Sequence, residues 1–160
     1  MSLPPFQTLV DEHKEEVYRL ALSAVGPEDA DDCFQETLLS ALRAYPALRH
    51  ADNLRGWLLT IAHRKALDHH RARGRAAVPV GDMADVGHLN GAAALPPDVS
   101  DGEIWASVRR LPPKQSLAVA HRFVNDLAYK EIGRLLDCTE EAARRSVHEG
   151  LKKLRQEYTR

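Results

Sequence analysis

The stretch "LAYKEIGRLLDCTEEAARRSVHEGLKKLR", residues 127–155, determines the fold of the C-terminal part of this chain. Ile132 and Leu136 give a first short helix an apolar face. Asp137 falls where a tight turn often requires a left-handed residue, a conformation that aspartate tolerates. Thr139 is suited to cap a second helix, since its hydroxyl can accept a hydrogen bond from a free backbone N–H. This is the layout of a helix-turn-helix.

The second helix of this stretch has two contrasting faces. Ala143, Val147 and Leu154 recur at helical spacing and predict a buried stripe. At about 100° per residue, four basic side chains fall on or beside the opposite face: Arg144, Arg145, His148 and Lys152. The major groove of DNA admits one α-helix, and arginine can bond a guanine edge there. We therefore interpret this face as a DNA-contacting surface, the alternative being an ordinary solvated helix face.

Helical spacing of apolar residues continues through most of the remaining sequence. It predicts a helix from about Phe6 to Val25, a second through the acidic segment "ADDCFQE", and a third beginning near Asn53 or Leu54. A further short helix should end at Pro112, and another should follow it. No strand-type alternation persists, so the fold class predicted is all-α.

Residues 76–100 lose this periodicity and are rich in Ala, Gly and Pro, which is typical of a flexible linker. The sequence therefore predicts two small helical domains, residues 1–75 and residues 101–160. The C-terminal one contains the helix-turn-helix.

Charge is segregated along a chain whose formal net charge is only −1. Residues 1–47 carry nine acids and three bases, whereas residues 48–75 carry two acids and seven bases. An acidic block beside a basic one indicates two surfaces with different partners.

Other classes of protein find little support. No apolar run approaches the roughly 18–20 residues that span a bilayer, so no membrane insertion is expected. The N-terminus leaves no room for a signal-peptide core, which favours a cytoplasmic location. Two cysteines without a CxxC pair indicate no disulfide framework.

A histidine-rich stretch, "HRKALDHHRARGR" at residues 63–75, raises the question of a metal site. His63 and His70 share a helix face but lie about 10 Å apart along its axis, whereas zinc needs ligand atoms at about 2 Å. Neither a metal site nor a catalytic triad is expected, and no cofactor. The stretch also carries the cations Arg64, Lys65, Arg71 and Arg73, for which we favour nucleic-acid contact over a purely structural role at a helix C-terminus.

Three motifs in order resemble the extracytoplasmic-function (ECF) group of bacterial RNA polymerase sigma factors. "VYRLALSAVGPEDADDCFQETLLSAL" is similar to the start of sigma domain 2, and "LRGWLLTIAHRKALDHHRAR" to its basic segment. "LPPKQ" followed by "LAYKEIGRLLD" is similar to the beginning of sigma domain 4. The resemblance implies a non-catalytic initiation factor that directs core polymerase to promoters.

The resemblance also implies site residues and partners. Asp32, Gln35 and Glu36 would lie on the helix that docks on the polymerase β′ subunit. Partners would be polymerase core (β and β′), promoter DNA and an anti-sigma factor. The promoter −10 element would be contacted by Asn53, near a flipped base, and by His63, Arg64, Lys65, Arg71 and Arg73. The −35 element would be contacted by Arg144, Arg145, His148 and Lys152.

Some positions depart from the family pattern, and alternatives remain. "HRK" at residues 63–65 and "AARRS" at residues 142–146 differ from the usual residues, so the resemblance does not fix the promoter sequence. A free-standing helix-turn-helix regulator would bind an operator as a dimer without polymerase. A helical metal protein or enzyme would use the histidines. A sigma-like protein without initiation activity is a closer variant.

Overall fold

A computed structural model describes residues 3–50, 52–77 and 102–158. These residues form seven α-helices and no strand, so the all-α prediction is confirmed. In chain order the helices are α1 (Phe6–Val25), α2 (Ala30–Ala44), α3 (Leu54–Ala77), α4 (Gly102–Arg110), α5 (Pro113–Phe123), α6 (Tyr129–Leu136) and α7 (Glu140–Tyr158), with a short 3₁₀ turn at Tyr45–Ala47. Of the predicted linker, residues 78–100 lie outside the described residues.

Helices α1, α2 and α3 pack against one another around the apolar stripes read from the sequence. Val17 and Leu20 on α1, Cys33 on α2, and Leu58 on α3 are essentially inaccessible to solvent. The backbone of Gly26 has a φ of 89°, which favours glycine and ends α1. Acidic residues occupy the first turn of α2, where the helix dipole favours negative charge.

Helices α4 to α7 form the second unit. Pro112 ends the preceding segment and Pro113 opens α5, a position where proline's missing N–H costs nothing. Leu117 on α5, Ile132 on α6 and Val147 on α7 are fully buried and hold the three helices together.

The two units are in direct contact, and their buried apolar residues form one continuous core. Helix α1 packs against α4 and α5, and α3 also contacts α5. The Arg109 side chain donates from Nη1 to the Leu22 carbonyl at 3.4 Å. The arrangement places the basic α3 and the helix-turn-helix on a single body. None of the described helices is long and apolar enough to cross a membrane.

Candidate functional site

The helix-turn-helix of α6 and α7 is built by the local chemistry that the sequence indicated. Asp137 adopts φ 58° and ψ 48°, the left-handed conformation expected at the turn. The Thr139 hydroxyl accepts a hydrogen bond from the Ala142 backbone N–H at 3.0 Å, so the predicted cap is confirmed. A Cβ at Gly133 would lie 2.8 Å from the Cys138 carbonyl oxygen, so glycine at this position lets α6 pack closely against the turn.

The basic face of α7 is open to solvent. Ala143 and Val147 are fully buried, as their spacing predicted. The four predicted −35 contacts are all exposed: Arg144, Arg145, His148 and Lys152. Arg144 lies 3.5 Å from the Glu140 carboxylate one turn earlier, and its side chain remains 45% exposed. The geometry is that of a cationic helix available to a polyanion, while the DNA contacts themselves stay a prediction.

Two arginines from different helices stack on one aromatic ring beside this face. The guanidinium carbon of Arg122, on α5, lies 4.4 Å from the centre of the Tyr129 ring. That of Arg144, on α7, lies 4.7 Å from the same centre. Arg122 also donates to the Leu127 carbonyl at 3.0 Å. Cation–π attraction to Tyr129 therefore restrains a predicted DNA-contacting side chain before any ligand binds.

The cations predicted on α3 differ in their surroundings. Arg64 and Arg71 are exposed, and Lys65 is half-buried. Arg73 is exposed but lies 3.1 Å from the Asp29 carboxylate, which partly neutralises it. Among the described residues, no group of three or more metal-ligating side chains could hold an ion.

His63 has a different position from the one its predicted role requires. Its side chain is buried between α3 and α5, with Nδ1 2.9 Å from Nε2 of His121. Burial lowers the pKa of His63 to about 4, and the neighbouring charges of Arg64 and His70 act in the same direction. In this arrangement His63 is not accessible to DNA, so its predicted −10 contact is untested and would require the two units to separate.

His70 and Arg109 are directed at the C-terminal end of α1. His70 Nε2 donates to the Ala24 carbonyl at 2.9 Å, and burial lowers its pKa despite that hydrogen bond. Burial lowers the pKa of Arg109 to about 10, with the charges of Arg73 and Arg110 adding to the effect. Both side chains donate to carbonyl groups in the last turn of α1, where backbone partners become scarce, which is a structural role.

Asn53 caps α3 and borders a cavity. Its side-chain oxygen accepts a hydrogen bond from the Gly56 backbone N–H at 3.0 Å, and the residue is exposed. A cavity of about 200 Å³ lies beside it, with Glu131 and Arg134 of α6 contributing to the lining. A base approaching Asn53 by this route would meet the C-terminal unit, including a carboxylate.

The predicted polymerase-docking residues share one exposed face of α2. Asp32, Gln35 and Glu36 are all exposed, and the nearest described partner of Glu36 is His69, whose Nε2 lies 3.4 Å away. Farther along the same helix, Leu39 and Leu42 are each 51% exposed. Acids followed by solvent-exposed leucines are typical of a surface that binds protein rather than nucleic acid.

Four residues with structural roles were not predicted from the sequence: Arg55, His121, Asn125 and Tyr129. Arg55 bonds the Glu16 carboxylate through Nε at 3.0 Å from each oxygen, and its Nη2 also contacts the Asn125 carbonyl. A polar residue at the spacing of buried apolar residues was the signal that the sequence offered. His121, for example, follows the apolar stretch "SLAVA" at the spacing of the buried Leu117 and Ala118.

Comparison with known proteins gives the same two units. A Sigma-70 region 2 family model matches residues 9–76, and a Sigma-70 region 4 family model matches residues 101–154. Together they account for well over half of the chain, which belongs to the sigma-70 family of RNA polymerase sigma factors, in its ECF group. Sigma factors are non-catalytic, which agrees with the expectation that the chain is not an enzyme.

Individual relatives support this membership. The chain is 32% identical to the ECF RNA polymerase sigma factor BldN of Streptomyces coelicolor over 142 residues, covering 86% of this chain and 54% of that protein. It is 30% identical to SigE of Mycolicibacterium smegmatis over 159 residues, covering 96% and 62%. With SigV of Bacillus subtilis the identity is 25%, covering 96% and 90%. The chain thus spans little more than half the length of the first two relatives.

Solved structures share the fold. The sigma factor RpoE of Bartonella quintana, crystallised with the anti-sigma factor NepR, superposes with a TM-score of 0.78 at 18% identity, covering 99% of this chain and all of that one. CnrH, in complex with the cytosolic domain of CnrY, gives a TM-score of 0.67 at 21% identity, covering 94% and 85%. This likeness agrees with the helix-turn-helix and the all-α fold of the described residues.

Proposed function

We propose that this chain is a cytoplasmic transcription initiation factor that binds RNA polymerase core and directs it to specific promoters. The observation that carries the proposal is the presence of both sigma regions on one chain, in family order. A free-standing helix-turn-helix regulator needs no region 2, so that alternative does not explain the exposed acidic face of α2.

Core binding is assigned to α2. Asp32, Gln35 and Glu36 present charged and polar groups, and Leu39 and Leu42 add apolar surface that water does not favour. A protein partner with basic side chains around an apolar patch fits this face, and the polymerase β′ subunit is the partner that the family implies. The β subunit of the core is a second proposed partner.

Promoter recognition is assigned to the two basic helices. Arg64, Lys65, Arg71 and Arg73 of α3, with Asn53, would contact the −10 element, and the exposed cations of α7 would contact the −35 element. Each surface alone offers few contacts to offset the cost of association. When the polymerase holds both surfaces, they bind the promoter as one unit, because linkage raises the effective concentration of the second surface once the first is bound.

A near-neutral total charge suits a factor that should not be trapped on random DNA, because nonspecific affinity increases with the number of phosphates neutralised. The two structural neighbours were both solved as complexes, one named with an anti-sigma factor and one with a cytosolic domain. We include an anti-sigma factor among the proposed partners of this chain.

Addition of the full chain to sigma-free core polymerase and a genomic promoter library tests the proposal. Start sites that appear only when the chain is present are the expected result, and their alignment gives the promoter motif. A variant with Asp32, Gln35 and Glu36 all changed to alanine serves as the matched control. Tight binding to an operator without core, combined with no new start sites, would favour the free-standing regulator.

A further inference from the structure

The junction between the two units contains a pair of buried histidines. Nδ1 of His63 on α3 and Nε2 of His121 on α5 are 2.9 Å apart, and the side chains are 3% and 0% exposed. One ring must donate N–H and the other must accept, so the contact requires that the accepting ring is neutral. His121 Nδ1 and the Asn125 Oδ1 nearby are buried without a hydrogen-bond partner among the described residues. A protonated ring would therefore have only the other imidazole and the Asn125 amide, both neutral groups, to stabilise its charge.

Other charged groups around the pair do not favour protonation. On α3 the neighbours are Arg64 and His70, both of which oppose a positive charge on His63. On α1 the nearby acid is Glu16, whose carboxylate is already engaged by Arg55 and lies 3.8 Å from His13. From the α5–α6 segment, Asn125 reaches the Glu16 carbonyl through Nδ2 at 3.4 Å. No carboxylate among the groups described at this junction is free to balance a histidinium.

The proposed function requires that this junction opens. The −10 and −35 elements, as their names state, are centred about 25 base pairs apart, which is about 85 Å at 3.4 Å per base pair. A folded chain of this length with its units packed together is only about 40 Å across. One chain can therefore contact both elements only after the C-terminal unit leaves α1 and α3, and that movement exposes both rings.

We propose that the His63–His121 contact makes the separation of the two units proton-sensitive, so that mild acidification converts the packed chain into the extended, promoter-competent form. The inference rests on the proposed function for its biological meaning. The pH-dependent separation of the two units is a property of the free chain.

The sign follows from the packed and separated states. Burial lowers the pKa of His63 to about 4 and that of His121 to about 3, where the charge of His63 adds to the effect and Asn125 opposes it. Once exposed, both rings regain a pKa near 6.5. The separated state therefore binds more protons between about pH 6.5 and 4, and acid favours it. From pH 7.5 to 5.5 each histidine shifts the ratio of separated to packed chains about tenfold, or about 100-fold together.

Small-angle X-ray scattering of the full chain, without polymerase or DNA, tests the proposal. The radius of gyration should increase from about 15 Å as the pH falls from 7.5 to 5.5, while far-ultraviolet circular dichroism shows that the helices are retained. The double variant His63→Gln/His121→Gln should show no change in radius over that range. His148→Gln, which removes an exposed histidine of α7, should respond as the wild type does.

Two results would overturn the proposal. One is an unchanged radius in the wild type at pH 5.5; the other is an equal pH response in the double variant. Should the double variant fail to fold, the imidazole resonances of the wild type give the answer. Both rings should then titrate over the same pH range in which the chain expands. Titration of the rings near pH 6.5 while the chain stays compact would contradict the proposal. None of these results depends on initiation activity, so failure here and failure of the proposed function are distinguishable.

Discussion

Arg55 on α3 is bonded to Glu16 on α1, with Nε 3.0 Å from each carboxylate oxygen. The same guanidinium contacts the Asn125 carbonyl in the segment before α6. The interaction with Glu16 raises the pKa of Arg55, against the opposing effect of burial. One side chain thus joins two helices of the N-terminal unit to the C-terminal unit.

The Arg55 contact predicts a stability effect. Arg55→Ala should lower the free energy of unfolding by about 1 kcal/mol, since charge-assisted hydrogen bonds are lost but the side chain is 37% exposed. Urea denaturation of the full chain measures this change. Arg71→Ala removes an exposed cation of the same helix and should change stability by less than about 0.5 kcal/mol. Equal effects in the two variants would mean that the contact adds nothing.

The Tyr129 ring predicts an energetic coupling with Arg144. In a double-mutant cycle of Tyr129→Leu and Arg144→Ala, measured by urea denaturation, the coupling should be about 0.5–1 kcal/mol, the usual strength of an exposed cation–π contact. Tyr129→Phe retains the aromatic face and should preserve most of it. If the two substitutions have additive effects on stability within error, the ring does not restrain Arg144.

The exposed face of α7 predicts different behaviour for its two ends. Arg145→Ala should reduce discrimination between the correct −35 element and a mismatched one by about 1–3 kcal/mol if it makes a bidentate base contact. Lys152→Ala should weaken binding equally on all sequences and reduce its salt dependence, as loss of a phosphate contact does. Binding of holoenzyme to matched promoter pairs measures both. Lys153→Ala, off this face, is the control, and it should change neither.

The exposed face of α2 predicts selective loss of core binding. Glu36→Ala should weaken the affinity for polymerase core about 5- to 30-fold, the effect of removing one significant interface side chain. Competition with a labelled sigma factor measures the affinity, and circular dichroism checks that the helices are intact. Glu12→Ala changes an exposed acid of α1 and should leave the affinity unaltered. Loss of affinity in both variants would indicate general electrostatics rather than a docking site.

Much of the fold follows from local patterns in the sequence. Helix α1 has the predicted bounds, because helical spacing of apolar residues ends at a glycine. Helix α6 begins at Tyr129, two residues into the stretch that starts at Leu127, because the Leu127 backbone N–H is bonded to the His121 carbonyl at 3.1 Å instead. Turn chemistry at Asp137 and Thr139 is equally local, and both were predicted.

The position of His63 was not predicted, because it depends on a residue 58 positions away. A local reading groups His63 with the following cations, whereas Leu59, Ala62 and Ala66 form a buried stripe that includes it. That spacing was visible in the sequence. The α3 sequence could not indicate His121 as the partner, because nothing local to α3 shows which helix packs on it.

Three side chains from outside α1 donate hydrogen bonds to backbone carbonyls of α1, not to α1 side chains. Arg109, His70 and Asn125 donate to the carbonyls of Leu22, Ala24 and Glu16. A carbonyl is present whatever amino acid occupies the position, so evolutionary drift along α1 need not disturb these bonds. Selection for them should act on the donors alone, leaving no correlated substitutions between the two sides.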